Sequence, residues 1–252
     1  MNLLDKSNKS NYHVWLETAK NAGGIALIDK DENWTSFDVI AKLRNITRIR
    51  KAGHAGTLDP LATGLLMVFF HKATTEINKF QDLNKSYHAV VKLGAETASC
   101  DRETPEENIK SAEGITEAMA SFAINKLTGK IEQIPPAYSA KKIDGKRAYK
   151  LARQNVEITM KPSQVEVFSY ENIRLEPPYL SFDVHCSKGT YIRSLARDIG
   201  LILGCGGYLF SLRRTAIGPY GADNALRIKE FIDLNDIMLQ SNNNSVDINE
   251  SI

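Results

Sequence analysis

The sequence predicts an α+β protein built on a mixed, largely antiparallel sheet with flanking helices. Apolar segments of strand length and segments of helical spacing both occur, but without the regular strand–helix–strand alternation of a parallel sheet. Several strand segments alternate apolar and polar residues, as half-buried antiparallel strands do. The 252 residues, 42% hydrophobic and 25% charged, have globular composition. A chain of this size buries a core without disulfide or metal staples.

The elements follow in order. Gly24 to Asp29 reads as a buried strand. Ser36 is a candidate N-cap, and Val39, Ile40, Leu43 and Ile46 recur at helical spacing, predicting a helix from about Phe37 to Thr47. The small residues of the following basic segment read as a loop. Leu65 to Phe70 is a second buried strand, and Ser86 to Gly94 alternates with Tyr87, Ala89, Val91 and Leu93 on one face. Residues 100–113 read as a polar loop. Ile115, Ala118, Met119, Phe122 and Leu127 mark an amphipathic helix, and Gly129 to Ala140, with Pro135-Pro136, a loop. Arg147 to Arg153 can form a short helix. Gln164 to Tyr170 and Tyr179 to Cys186 alternate as strands. Ile192, Leu195, Ala196 and Ile199 form a helix stripe, with Arg193 and Arg197 on a neighbouring face at i, i+4. Tyr208 to Leu212 is a last short strand. The Asn- and Ser-rich tail from Gln240 is expected to be disordered.

Several function classes are disfavoured. The longest apolar run, Leu65 to Phe70, falls far short of the about 20 residues of a membrane helix. Residues 1–23 show no apolar signal region. The three cysteines (100, 186, 205) and five histidines are dispersed, with no CxxC pair. Dinucleotide-binding and Walker A patterns are absent. The expectation is a cytoplasmic protein with no metal and no nucleotide cofactor.

The net charge of +2 conceals an uneven distribution. Glu230 to Ile252 carries five acids and no base, so residues 1–229 carry +7. Lys42, Arg44, Arg48, Arg50 and Lys51 follow one another without an acid. Lys141 to Arg153 holds six bases against Asp144 alone. With Lys188, Arg193, Arg197, Arg213 and Arg214, these runs point to a polyanionic partner.

The densest segment is Gly53-His54-Ala55-Gly56-Thr57-Leu58-Asp59-Pro60-Leu61-Ala62-Thr63-Gly64. Its glycines permit close backbone approach, and Pro60 biases Asp59 to extended or turn geometry. A carboxylate on such a loop can serve as nucleophile or base, or the Asp-Pro pair can simply form a turn.

This segment resembles the catalytic motif of the TruB family, the bacterial tRNA pseudouridine-55 synthases. Further segments agree in order. Gly24 to Lys30 resembles the family's opening strand, and Lys85-Ser86-Tyr87-His88-Ala89 its tyrosine motif. Gln133 to Ala140 with Gly145 to Tyr149 resembles its RNA-gripping thumb. Cys186 to Arg193 resembles its arginine motif, and Leu212-Arg213-Arg214 a later one. Asp31-Glu32-Asn33 stand where the family has Pro and a nearby Gly.

The resemblance implies a pseudouridine synthase fold with a thumb-like RNA-binding insertion. Residues 1–23 would be an N-terminal extension and 24–218 the catalytic domain, with the thumb at about 129–153. Residues 219–252 would be a short C-terminal segment, a reduced accessory domain with a disordered end. The implied reaction converts uridine to pseudouridine at position 55, in the T loop of tRNA. Asp59 is the implied nucleophile on a flipped-out base, at C1′ or at C6. Arg193 is the arginine that pairs with the aspartate. Tyr87 stacks on the target base, and its hydroxyl, with an ordinary pKa of about 10, is a weak proton acceptor. His54 fills the space the base vacates. Lys30, on its own pattern a solvated turn residue, lies near the site, and Leu212 lines the uracil pocket. Tyr191 belongs to the arginine motif, while Lys141, Lys146 and Arg147 hold phosphates. The implied partner is the tRNA T arm, met by a monomer.

Composition and charge alone suit an RNA-binding module without chemistry equally well. Asp59 separates the two readings: a binder has no need of a carboxylate among bases, where it repels phosphate, so its presence favours the enzyme. A hydrolase of small substrates has no use for the basic run 141–153.

Overall fold

The computed structural model describes residues 2–139, 142–143, 146–148, 154 and 160–249. The strands are β1 (Leu3–Leu4), β2 (Gly24–Lys30), β3 (Ala52–His54), β4 (Thr63–Phe70), β5 (Lys85–Leu93), β6 (Glu96–Thr97), β7 (Glu106–Glu107), β8 (Gly129–Gln133), β9 (Lys142–Ile143), β10 (Lys146–Arg147), β11 (Ser163–Glu176), β12 (Tyr179–Cys186), β13 (Gly207–Ile217), β14 (Tyr220–Gly221) and β15 (Leu226–Arg227). The helices are α1 (Tyr12–Asn21), α2 (Ser36–Thr47), α3 (Ile77–Gln81), α4 (Glu117–Lys126), α5 (Ile192–Leu203) and α6 (Ile228–Asn249). The fold is mixed α+β with mostly antiparallel pairing. Two compact units divide the chain, Met1–Leu83 with Arg213–Ile252, and Asn84–Leu212.

In the first unit β2 and β4 run antiparallel, from Gly24 opposite Phe70 to Lys30 opposite Gly64. Both strands are buried on both faces, which explains their unbroken apolar sequences. Ala26, Ile28, Leu66, Val68 and Phe70 face a core with Trp15 of α1, Leu43 of α2 and Phe231 of α6. Ile25, Leu27, Leu65, Met67 and Phe69 face a second core with Ala55 and Ile217. The N-terminal residues belong to this unit structurally: β1 pairs with β2 in parallel, and the Tyr12 hydroxyl donates to Asn235 of α6 at 3.2 Å. Anchored by Phe231 and Asn235, the backbone of α6 stays helical to Asn249. A helix therefore stands where the tail composition led us to expect disorder.

In the second unit β5, β12, β11 and β8 follow one another as antiparallel neighbours. Ala89, Val91 and Leu93 of β5 and Phe182 and Val184 of β12 pack under α4 and α5. β8 corrects the expectation of a loop over 129–140: its Gly129–Gln133 backbone completes the ladder with Ser163 to Val167. α4 buries Ala120, Ala123 and Ile124, whereas Met119 and Phe122, placed on the apolar stripe by spacing, are exposed. Small alanines let the helix axis approach the sheet, and the bulkier side chains rotate outward. Gly200 of α5 lies so close to β13 that a Cβ would stand 2.1 Å from the Gly207 nitrogen.

α2 starts one residue earlier than its spacing suggested. Thr35 caps it, accepting from the Asp38 N–H, while the Asp38 carboxylate accepts from the Thr35 N–H. Arg147, expected in a short helix, ends the strand β10, which pairs antiparallel with β9. The remainder of that expected helix, residues 149–153, lies outside the described residues.

Candidate active site

The first unit carries Asp59, Lys30 and His54; the second carries Tyr87, Arg193, Tyr191 and Leu212. In the first unit the loop bearing Asp59 is fixed on both sides of that residue. Before it, the Leu58 N–H donates to the Ser36 hydroxyl at 2.9 Å, and this hydroxyl donates to the Leu58 carbonyl at 3.2 Å. After it, the Pro60 carbonyl accepts from the Asn33 N–H at 2.8 Å and from the Lys30 ammonium at 3.3 Å. The Ala62 N–H closes the turn onto the Asp59 carbonyl at 3.0 Å. Asp59 itself is half-buried.

Lys30 is not a solvated turn residue. Its side chain is fully buried, and Nζ also donates to the carbonyls of Trp34 (2.6 Å) and Asp31 (3.0 Å). Burial pushes its pKa down to about 8, against the pull of the Asp59, Asp31 and Glu32 carboxylates. The segment Asp31-Glu32-Asn33 thus supplies the turn that grips Lys30 and Pro60, with Asn33 at a φ of 66°.

Arg214 closes the other side of the loop. It is buried and donates through Nε to the Leu65 carbonyl (2.7 Å) and through Nη2 to the Gly56 carbonyl (3.1 Å). Its strand reaches β4 in parallel, with Arg214 opposite Gly64. Gly64 has a φ of 97°, and a Cβ there would stand 2.3 Å from the Arg214 carbonyl oxygen. The last glycine of the motif therefore serves this close approach. Next to it, Arg213 grips Asp29 in bidentate fashion at 2.8 and 2.9 Å. His54, at the end of β3, has its pKa lowered by burial and then by the Arg214 charge, against an opposing interaction with the Gly56 backbone.

In the second unit Arg193 lies in the first turn of α5, 5% exposed. Its Nη1 donates to the Ser99 carbonyl at 3.1 Å and lies 3.3 Å from the Asp101 carboxylate, and its Nη2 donates to the Tyr138 carbonyl at 2.8 Å. Asp101 is buried in the segment read from sequence as a polar loop; its carboxylate also accepts from the Glu103 N–H at 2.9 Å. Tyr191 caps α5 through its backbone: the buried Gln133 side chain accepts from the Tyr191 N–H (2.8 Å) and donates to its carbonyl (3.1 Å). Ser194 and Arg197 donate to the Ile134 carbonyl at 2.8 and 3.0 Å. Residues 133–138, at the start of the proposed thumb, are thus fastened to the helix that carries Arg193. Tyr87 stands opposite Val184, half-buried on the core face with Ala89 and Val91, as its alternation predicts. Leu212 packs partly buried against the same core.

Lys141 lies outside the described residues, and Lys146 and Arg147 are described by their backbone alone. The three cysteines are free and buried. Burial pushes the Cys186 thiol up to about 12 and raises Cys100 as well. Among the described residues, no group of three or more His, Cys, Asp or Glu side chains is arranged to hold a metal ion, and no helix is long and apolar enough to cross a membrane.

The family model for "TruB family pseudouridylate synthase (N terminal domain)" matches residues 44–192, which include the Asp59 loop and Tyr87. The chain belongs to the TruB family of pseudouridylate synthases. A "tRNA pseudouridylate synthase B C-terminal domain" model matches residues 193–247. A protein of Chlorobium chlorochromatii named tRNA pseudouridine synthase B is 44% identical over 88% of this chain and 91% of its own. One of the same name from Syntrophotalea carbinolica is 41% identical over 82% of this chain and 67% of its own. Among solved structures, a chain of a Cbf5-Nop10-Gar1 complex is 27% identical, with a TM-score of 0.67 over 86% of this chain. A chain of an H/ACA RNP bound to a substrate RNA containing 2′-deoxyuridine is 26% identical, with a TM-score of 0.64 over 86% of this chain. The TruB-family chain spans 56% and 55% of those two chains.

Proposed function

We propose that the protein converts uridine to pseudouridine at position 55, in the T loop of tRNA, acting on the T arm as a cytoplasmic monomer. The observation that carries this reading is the Asp59 loop, held by Ser36, Lys30 and Asn33 on its two sides. A carboxylate on a preorganised loop suits nucleophilic chemistry, because its orientation is fixed before substrate arrives. The N1–C1′ bond of the target uridine breaks, uracil turns, and a C5–C1′ bond forms. The C5 proton leaves and N1 takes one up, so no electrons and no external group are required. Asp59 supplies the nucleophile, at C1′ or at C6, and Tyr87 and Arg193 are its catalytic partners. His54, Lys30, Leu212 and Tyr191 contribute to the substrate site, and Lys141, Lys146 and Arg147 hold phosphates of the thumb-bound RNA. The base is flipped out of the stack, at a cost of a few kcal/mol. Residues 24–218 form the catalytic domain in this reading, with the thumb at about 129–153.

The test is tritium release from a tRNA transcript labelled as [5-³H]uridine, with no cofactor added. The expected result is release by the wild type and none by Asp59→Asn, which binds the transcript as the wild type does. A transcript with cytidine at position 55 is expected to release nothing. Undiminished release from that transcript would refute the T-loop assignment, and turnover by Asp59→Asn within about tenfold of wild type would refute the nucleophile.

A further inference from the structure

One run of basic residues has no role in the chemistry at Asp59. α2 turns Val39, Ile40, Leu43 and Thr47 inward and leaves Lys42, Arg44 and Arg48 exposed. Arg48 ends the helix with a φ of 61°, its N–H bonded to the Arg44 carbonyl. The chain then extends through exposed Arg50 and Lys51 into β3, with Ile49 between them and the helix buried in the core.

None of these five cations has an ion-pair partner among the described residues, and residues 39–58 contain no Asp or Glu. Elsewhere in the same unit, three exposed lysines are matched: Lys20 with Glu17, Lys79 with Glu76, Lys229 with Asp233. Five unscreened like charges on one short helix-to-strand segment repel one another. Buried Val39, Leu43, Thr47 and Ile49 nevertheless hold this segment in fixed geometry. Such a strip is complementary to a polyanion. The run lies outside the Asp59 loop in sequence, joined to it through β3 (Ala52–His54).

We infer that Lys42, Arg44, Arg48, Arg50 and Lys51 form a docking surface for the RNA phosphate backbone, which adds affinity for tRNA without entering the chemistry. This inference rests on the reading of tRNA as substrate. Each phosphate neutralised contributes about 0.7 to 0.9 to the fall of log K with log salt.

The experiment compares three full-length proteins binding a tRNA transcript at four salt concentrations: wild type, Arg44→Gln/Arg48→Gln/Arg50→Gln, and Lys20→Gln/Lys79→Gln/Lys229→Gln. The last removes the same charge from paired lysines. The strip variant is expected to bind about tenfold or more weakly at low salt, with a slope smaller by roughly two to three. Its single-turnover rate at saturating RNA is expected to stay within about twofold of wild type. The paired-lysine variant is expected to follow the wild-type line. A strip variant that follows the wild-type line, or two variants that weaken equally, would overturn the docking surface; equal weakening would mean that net charge alone matters. Should the triple variant misfold, Arg44→Gln and Arg50→Gln, each expected to lower the slope by about one, decide the matter. Absence of tritium release by the wild type would refute the proposed activity, while the binding lines still report on the strip.

Discussion

Arg193 stands 3.3 Å from Asp101, with both side chains almost wholly out of water. Removing one member of a buried ion pair costs about 3–5 kcal/mol when the other is left alone. Arg193 keeps its bonds to the Ser99 and Tyr138 carbonyls, so Asp101→Ala is expected to lower the unfolding free energy by less than that, about 1–3 kcal/mol, in urea titration. Asp101→Asn keeps one acceptor oxygen, which can serve the guanidinium or the Glu103 N–H but not both, so it is expected to recover part of that loss. Both variants should lose kcat more than they raise KM. An Asp101→Ala protein with a wild-type urea midpoint would show that the pair holds nothing.

Ser36 tests the loop clamp. Its hydroxyl is the partner of both backbone groups of Leu58, in a buried setting. Ser36→Ala leaves two polar groups unmatched, and the expected loss of stability is about 1–3 kcal/mol. Asp59 then samples a wider range, and the expected fall in kcat is about tenfold, which corresponds to about 1.4 kcal/mol in barrier. The Kd for tRNA should not change, because the loop does not supply the phosphate contacts. Weakened tRNA binding with unchanged kcat would contradict this assignment.

α2 and β4 were legible because their signal is local: apolar residues at helical spacing in one, and an unbroken apolar run in the other. Sequence alone places the cap one residue late, because Thr35 and Ser36 are both competent caps. Asp38, three residues after Thr35, completes the capping box there and leaves Ser36 for Leu58. Asp59, Tyr87 and Arg193 are proposed through motif resemblance, not through spacing. Asp101, Gln133 and Arg214 were not singled out as site-organising residues, because a buried polar side chain depends on partners far along the chain. Arg214 finds Gly56, and Gln133 finds Tyr191. Burial of Lys30 was equally illegible, since its carbonyl partners gather only when the turn at 31–34 folds back over it.

The thumb makes its own prediction. If Lys141, Lys146 and Arg147 hold phosphates, changing all three to Ala should weaken tRNA binding and flatten the salt slope by roughly two to three. The rate at saturating RNA should change little, because phosphate contacts act on binding rather than on the bonds that break and form. Lines of equal height and slope for wild type and variant would remove the thumb from the binding surface.

Lys30 offers a test in which stability and activity move in opposite directions. Its folded-state pKa of about 8 lies below the ordinary lysine value. Below about 8 both folded and unfolded chains carry the charge, and the burial penalty is present in full. Between there and about 10.4 the unfolded chain binds more protons, so this group adds stability as pH rises, up to about 3 kcal/mol. Activity should do the reverse. The neutral amine loses its charge beside Asp59 and one of the N–H donors that hold Trp34, Asp31 and Pro60. The wild-type kcat is therefore expected to fall as pH rises through about 8, while stability relative to Lys30→Met increases over the same interval. Lys30→Met should be about tenfold or more slower at neutral pH, as expected for loss of charged hydrogen bonds of about 1.5–3 kcal/mol. Its residual activity should cross pH 8 without a step. A variant that keeps the same alkaline fall in kcat would assign that step to another group, and a stability difference independent of pH would mean that the Lys30 ammonium is not depressed in the folded protein.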